Sequence, residues 1–160
     1  MYRKVKQKQV KKFELNKERE NIMKMLQKSA VMRGTANMVI KEIPVPQIKD
    51  KEVLVSLEYV GICGSDVHYY HNGCCGAYKV DLSEDFMLGH ECAGTIVEVG
   101  KEVEKLKVGD RVALEPGITC GKCEFCKSGH YNLCPDVVFL ATPPVQGCNE
   151  EFIAFPEDMC

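Results

Sequence analysis

The chain has 160 residues, enough for one domain with a real core and too few for two ordinary ones. Its 45% hydrophobic and 28% charged residues are those of a globular protein in water, and a net charge of −2 gives no general pull toward nucleic acid or membrane. No apolar run is long enough to cross a bilayer.

The charge is unevenly spread. Residues 1–28 carry ten Lys and Arg against three Glu, net +7, and the remainder is acidic. A basic arm can bind nucleic acid or an acidic surface, but the composition favours a solvated, disordered leader. Met23 and Met25 offer alternative starts, and Lys17-Glu18-Arg19-Glu20 is compatible with a purine-rich ribosome-binding sequence. Translation is therefore expected to begin at one of these two methionines.

After the leader the pattern is short strands with turn punctuation. Met38–Ile43 reads as a strand that stops at Pro44-Val45-Pro46. Val53–Val60 alternates apolar residues as a half-buried strand does. Gly94–Val99, Arg111–Leu114 and Glu151–Phe155 are further expected strands, and Gly64–Tyr70 a brief helix. Strands at such spacing with Gly and Pro turns predict a mainly β barrel or sandwich. No G-x-G-x-x-G lies between a strand and a helix, so nothing here is expected to hold a dinucleotide.

Ten cysteines in a chain whose start resembles no signal peptide point to metal thiolates rather than disulfides, and to the cytoplasm. Cys120, Cys123, Cys126 and Cys134 form C-x2-C-x2-C-x7-C followed by Pro135, with glycines at 117, 121 and 129. A loop with no apolar core needs a staple, and four thiolates close a tetrahedral, structural zinc site. Upstream, Cys63 in GICGSD and His90-Glu91 in GHE would bring three ligands from two loops, the count of a zinc site with an open position. Spacing alone leaves that reading level with a buried Cys beside a capping His–Glu pair. Cys74 and Cys75 are expected to be free surface thiols, and Cys92 a small core residue. Cys148 and Cys160 lack partner spacing, and neither His71 nor His130 is given a metal role.

Gly89-His90-Glu91-x2-Gly94-x5-Gly100-x2-Val103 matches the signature of zinc-containing alcohol dehydrogenases. From about Ser29 to Cys160 the chain resembles the catalytic domain of the medium-chain dehydrogenase/reductase family. GICGSDVHYY, VGDRVALEPG and Phe139-Leu140-Ala141-Thr142-Pro143-Pro144 bring it nearest the polyol branch of sorbitol (L-iditol 2-) and xylitol dehydrogenases.

The resemblance implies a mainly β, GroES-like, partly open β-barrel over residues 29–160, with a structural-zinc lobe at 117–135. It makes Cys63, His90 and Glu91 ligands of a catalytic zinc, although in other branches that Glu is not a ligand and a later Cys completes the site. Ser65 and His68 match a proton relay, and Asp66 a partner that fixes the tautomer of His90. Tyr69, Phe139 and Thr142 match positions lining a polyol pocket. The implied reaction oxidises a polyol such as sorbitol, L-iditol or xylitol to a ketose, with hydride passing to NAD. Full-length members are homo-oligomers that bind NAD through a Rossmann domain on the C-terminal side. Only 26 residues follow Cys134, and none opens such a domain, so the chain is expected to be a fragment that does not turn over alone. Competing expectations are a zinc-binding interaction module, an iron–sulfur protein and a non-catalytic remnant. The x7 gap departs from the ferredoxin spacing.

Overall fold

The computed structural model describes residues 25–160, and all but the end of the expected leader lies outside them. The first strand, β1, runs Leu26–Gly34 and so takes in residues 26–28, which sequence reading assigned to the leader. The reason for the miss is visible in the strand. Its inward residues begin with Gln27 and Ser29, both 1% exposed, before Val31 and Met32, so polar residues mask the apolar alternation. Gln27 is accommodated because its amide bonds both ways, accepting from the Phe152 N–H at 2.7 Å and donating to Glu150 at 2.9 Å.

The expected strands are present, with slightly different ends. β2 is Asn37–Pro44 and β3 is Glu52–Gly61. Helix α1, Gly64–Asn72, runs two residues beyond expectation and stops at Gly73 in the left-handed conformation (φ 68°). Three two-residue strands follow, β4 (Cys74–Cys75), β5 (Tyr78–Lys79) and β6 (Phe86–Met87). β7 spans Glu91–Val99 and β8 Arg111–Ala113. β9 (Gly117–Ile118) pairs with β10 (Val138–Phe139) around a lobe holding the one-turn helix α2, Glu124–Lys127. β11, Phe152–Pro156, is an edge strand, which lets it end on a proline.

All these pairings are antiparallel. One sheet has the order β11-β3-β7-β8 and a second β2-β1-β6, with β4-β5 and β9-β10 as separate hairpins. Residues 147–151 stitch the two larger sheets. The Gly147, Cys148 and Asn149 N–H groups donate to the Met87, Gly89 and Leu88 carbonyls, and the Ala30 and Leu57 N–H groups donate back to Asn149 and Glu151. Among the described residues the sheets wrap around a core without closing, the partly open barrel expected.

The main core lies against one face of the β11-β3-β7-β8 sheet, built from Val53, Val55, Cys92, Ile96, Ile153 and Phe155, with Leu114, Leu140 and Cys148. A second cluster of Met32, Tyr69, Val80, Phe86 and Leu88 packs α1 onto the three-stranded sheet. It fixes the helix whose first turn builds the site. No helix among the described residues is long and apolar enough to cross a membrane.

Candidate metal centres

β3 ends at Gly61, and two residues on Cys63 forms the N-cap of α1. A helix start leaves backbone N–H groups unpaired and favours negative charge, and Asp66 in the first turn meets both demands. One of its oxygens accepts from the Cys63 N–H at 2.9 Å. The other accepts from the Gly89 N–H at 3.1 Å and lies 3.6 Å from Nδ1 of His90. One carboxylate, 6% exposed, thus ties the loop bearing Cys63 to the loop bearing His90.

The ligand atoms of Cys63, His90 and Glu91 all lie within 4.8 Å of one another. Glu91 is brought there by strand register, because Gly61 and Glu91 are direct partners in the β3–β7 ladder. His90 is held on its other side by Phe139, with ring centroids 5.8 Å apart and planes at 54°. Cys63 and His90 are half-buried and Glu91 is exposed, so the trio opens to solvent. A sulfur, a nitrogen and an oxygen donor at this separation, with one side uncovered, fit a tetrahedral ion that keeps a fourth position for an outside ligand.

The lobe differs in kind. Cys120, Cys123, Cys126 and Cys134 also gather their sulfurs within 4.8 Å, and the lobe around them is largely exposed. Backbone N–H groups turn inward onto sulfur, Cys123 N to Cys120 Sγ and Cys126 N to Cys123 Sγ at 3.4 Å each. Cys120 N donates to Cys134 Sγ at 3.5 Å. The backbone N–H groups of Lys122 and Cys123 bring the Cys120 thiol down to about 7. Four sulfurs leave no open position, and the donor set fits zinc in a closed, structural site.

The remaining expected site residues are dispersed around α1 and the Phe139 turn. Ser65 is half-buried in the first turn of α1, and His68 is exposed one turn further on. Tyr69 is 4% exposed, its ring tilted against Phe86 at 6.3 Å, and burial foremost raises its phenol above the usual range. Tyr70 is the outer ring of the pair and donates its hydroxyl to the Ala36 carbonyl at 3.1 Å. Thr142 is half-buried, its N–H donating to the Phe139 carbonyl at 3.2 Å. Cys92 is a core residue, as expected. Cys148 is a core residue as well, fully buried, and Cys74 and Cys75 are half-buried where surface thiols were expected. Sequence reasoning missed the pairing of buried Gln27 with half-buried Glu150, which lie 123 positions apart and carry no local signal.

The chain belongs to the alcohol dehydrogenase GroES-like domain family, whose model matches residues 49–160. Among its relatives, sorbitol dehydrogenase of Bacillus subtilis is 57% identical over 131 residues, covering 82% of this chain and 36% of that protein. Probable D-xylulose reductase A of Arthroderma otae is 52% identical over 133 residues, covering 82% of this chain and 37% of that one. In structure, galactitol-1-phosphate dehydrogenase from Escherichia coli matches with a TM-score of 0.72 at 31% identity, covering 82% of this chain and 36% of that chain. An oxidoreductase/dehydrogenase of unknown specificity, also from Escherichia coli, matches with a TM-score of 0.76 at 46% identity, covering 84% and 39%. The chain thus spans little more than a third of the length of the curated relatives it matches.

Proposed function

We propose that these residues form the catalytic domain of a zinc-dependent polyol dehydrogenase that oxidises a sugar alcohol to a ketose with NAD. The observation that carries the proposal is the convergence of Cys63, His90 and Glu91, with their ligand atoms within 4.8 Å and one of the three exposed. The names of the relatives, sorbitol dehydrogenase and D-xylulose reductase, support a polyol as substrate class. Cys63, His90 and Glu91 would hold the catalytic zinc, and Cys120, Cys123, Cys126 and Cys134 the structural one. Bound, the catalytic zinc supplies Lewis acidity to an alcohol oxygen and the nicotinamide supplies a hydride acceptor.

The chain's own residues do the positioning and the proton handling. Asp66 holds His90 at Nδ1 and leaves Nε2 for the ion, while its bond to the Cys63 N–H sets the sulfur at the helix start. Ser65, half-buried beside Cys63, has a hydroxyl that both donates and accepts, which suits the inner step of a proton relay. His68 is exposed and suits the outer step, handing the proton to water. Phe139 packs its ring at a tilt against His90 and gives the imidazole an apolar neighbour. Tyr69 and Thr142 are assigned to the pocket walls, and the segment 117–135 to the structural lobe. Ten unpaired thiols suit a reducing compartment, the cytoplasm. On this proposal the described residues do not turn over alone, because their strands pair antiparallel and the turn from β3 into α1, Gly61-Ile62-Cys63-Gly64, lacks the G-x-G-x-x-G pattern that cradles a dinucleotide.

The test is metal stoichiometry followed by cobalt substitution. The purified chain should carry two zinc ions, and the cobalt form should show two distinct visible spectra. Sorbitol or xylitol should shift the spectrum of the Cys/His/Glu site and leave that of the tetrathiolate unchanged. A single ion per chain, or a spectrum no polyol moves, would overturn the proposal.

A further inference from the structure

We infer that Gly61 is a positioning residue for the open metal site, its missing side chain being the seat in which the Glu91 carboxylate rests. The inference builds on the proposal that Cys63, His90 and Glu91 bind an ion, and adds a residue that is not itself a ligand. Gly61 and Glu91 face each other as the last pair of the β3–β7 ladder. A Cβ on Gly61 would sit 2.5 Å from Oε2 of Glu91 and 3.1 Å from its Cβ. Cross-strand Cβ atoms are ordinarily about 4.5–5.5 Å apart, so the Glu91 side chain leans over its partner into space that any other residue would fill.

What stands in that space decides the consequence. At Gly94 and Gly100 an added Cβ would run into backbone carbonyls, those of Ser56 and of Lys49 and Asp50, and the strands themselves would have to part. At Gly61 the closest atom is the tip of a flexible side chain, and Gly61 has no left-handed φ that alanine would resist. The fold can therefore accept alanine here by turning Glu91 to another rotamer, which takes the carboxylate away from Cys63 and His90, and by easing the 3.1 Å Cβ–Cβ approach a few tenths of an ångström at the end of the ladder. Gly61 thus matters for ligand geometry and little for folding.

The experiment compares Gly61→Ala, Glu91→Ala and the double variant, with zinc and cobalt as probes of the purified chain. Gly61→Ala should keep its lobe ion, its circular dichroism and its tetrathiolate cobalt spectrum, while affinity at the second site falls about 10–100-fold. Glu91→Ala should lose the second ion similarly, and adding Gly61→Ala to it should cost little more metal affinity, since the clashing carboxylate is gone and only the tight Cβ–Cβ approach of 3.1 Å remains. Wild-type affinity in Gly61→Ala, or a further full loss in the double variant, would overturn the inference. If the wild-type chain itself binds only the lobe ion, the metal proposal falls and this inference with it. Should Gly61→Ala fail to fold while the double variant folds, the carboxylate is identified as the group the glycine admits. Should neither fold, Gly61 serves the backbone and the inference is wrong.

Discussion

Glu150 carries a carboxyl that burial pushes up to about 7, against a smaller opposing effect of the Gln27 amide that donates to it at 2.9 Å. It pairs across a bridge with Ser29, whose buried hydroxyl has no partner among the described residues. The folded state therefore binds a proton here that the unfolded chain, titrating near 4.5, has already released. Stability contributed by that proton is complete below about 4.5 and is lost as pH rises to about 7. A gap of about 2.5 units corresponds to roughly 3 kcal/mol at 1.36 kcal/mol per unit. Replacing Glu150 with Gln keeps the shape and the bond to Gln27 and removes the titration. The variant should lie within about 1 kcal/mol of wild type at pH 5 and exceed it by about 3 kcal/mol at pH 8, or about 5–10 °C in melting temperature. Urea unfolding of both zinc-loaded proteins at half-unit steps from pH 5 to 8 isolates the effect, because the difference cancels groups common to both. Asp81, Asp85 and Asp110, held low chiefly by hydrogen bonds to Ser83, Lys41 and Lys107, titrate below this window. Parallel pH profiles for wild type and variant would refute the reasoning.

Two further outcomes follow from the packing and from the tether. Phe155→Ala, at a position 1% exposed in the main core, should cost about 3–5 kcal/mol in urea unfolding; a loss under 1 kcal/mol would mean the core is not where it is described. Asp66→Asn keeps size but weakens the hold on His90, so zinc affinity at the open site should fall about 10–100-fold while the lobe ion stays. Calorimetric titration of the chain carrying only its lobe zinc measures this, and unchanged affinity would separate Asp66 from the metal.

What was legible in the sequence was what is local. The spacing of Cys120, Cys123, Cys126 and Cys134 predicts a cluster because a short loop cannot carry its cysteines far apart, and the four sulfurs do converge. Val53–Val60 announced itself by alternation and proves to be the middle of β3. β1 did not, because two of its inward positions are Gln27 and Ser29 and their reasons lie at Glu150 and Phe152, at the far end of the chain. The two-residue strands β4, β5, β6, β9 and β10 are too short for any periodicity. The convergence of Cys63 with His90 could be proposed only through a long motif, since no local rule brings residues 63 and 90 together. Structure supplies the physical cause in Asp66, which bonds to both loops at once.

That difference gives the two centres different dependence on folding. The lobe cysteines lie within residues 120–134, so closing the loop onto an ion costs little chain entropy and needs no distant strand. The open site has no such independence. Cys63 is placed by the start of α1, His90 by the Gly89–Asp66 bond and Glu91 by the β3–β7 register, so all three require the barrel to be folded. Metal at the open site must then stabilise the barrel by the amount that folding prepares the site, while metal in the lobe can stabilise its loop alone. A chelator series should therefore strip the open site first as the barrel is weakened by urea, with the lobe ion leaving later. Loss of both ions at a single urea concentration would show that the lobe depends on the barrel after all.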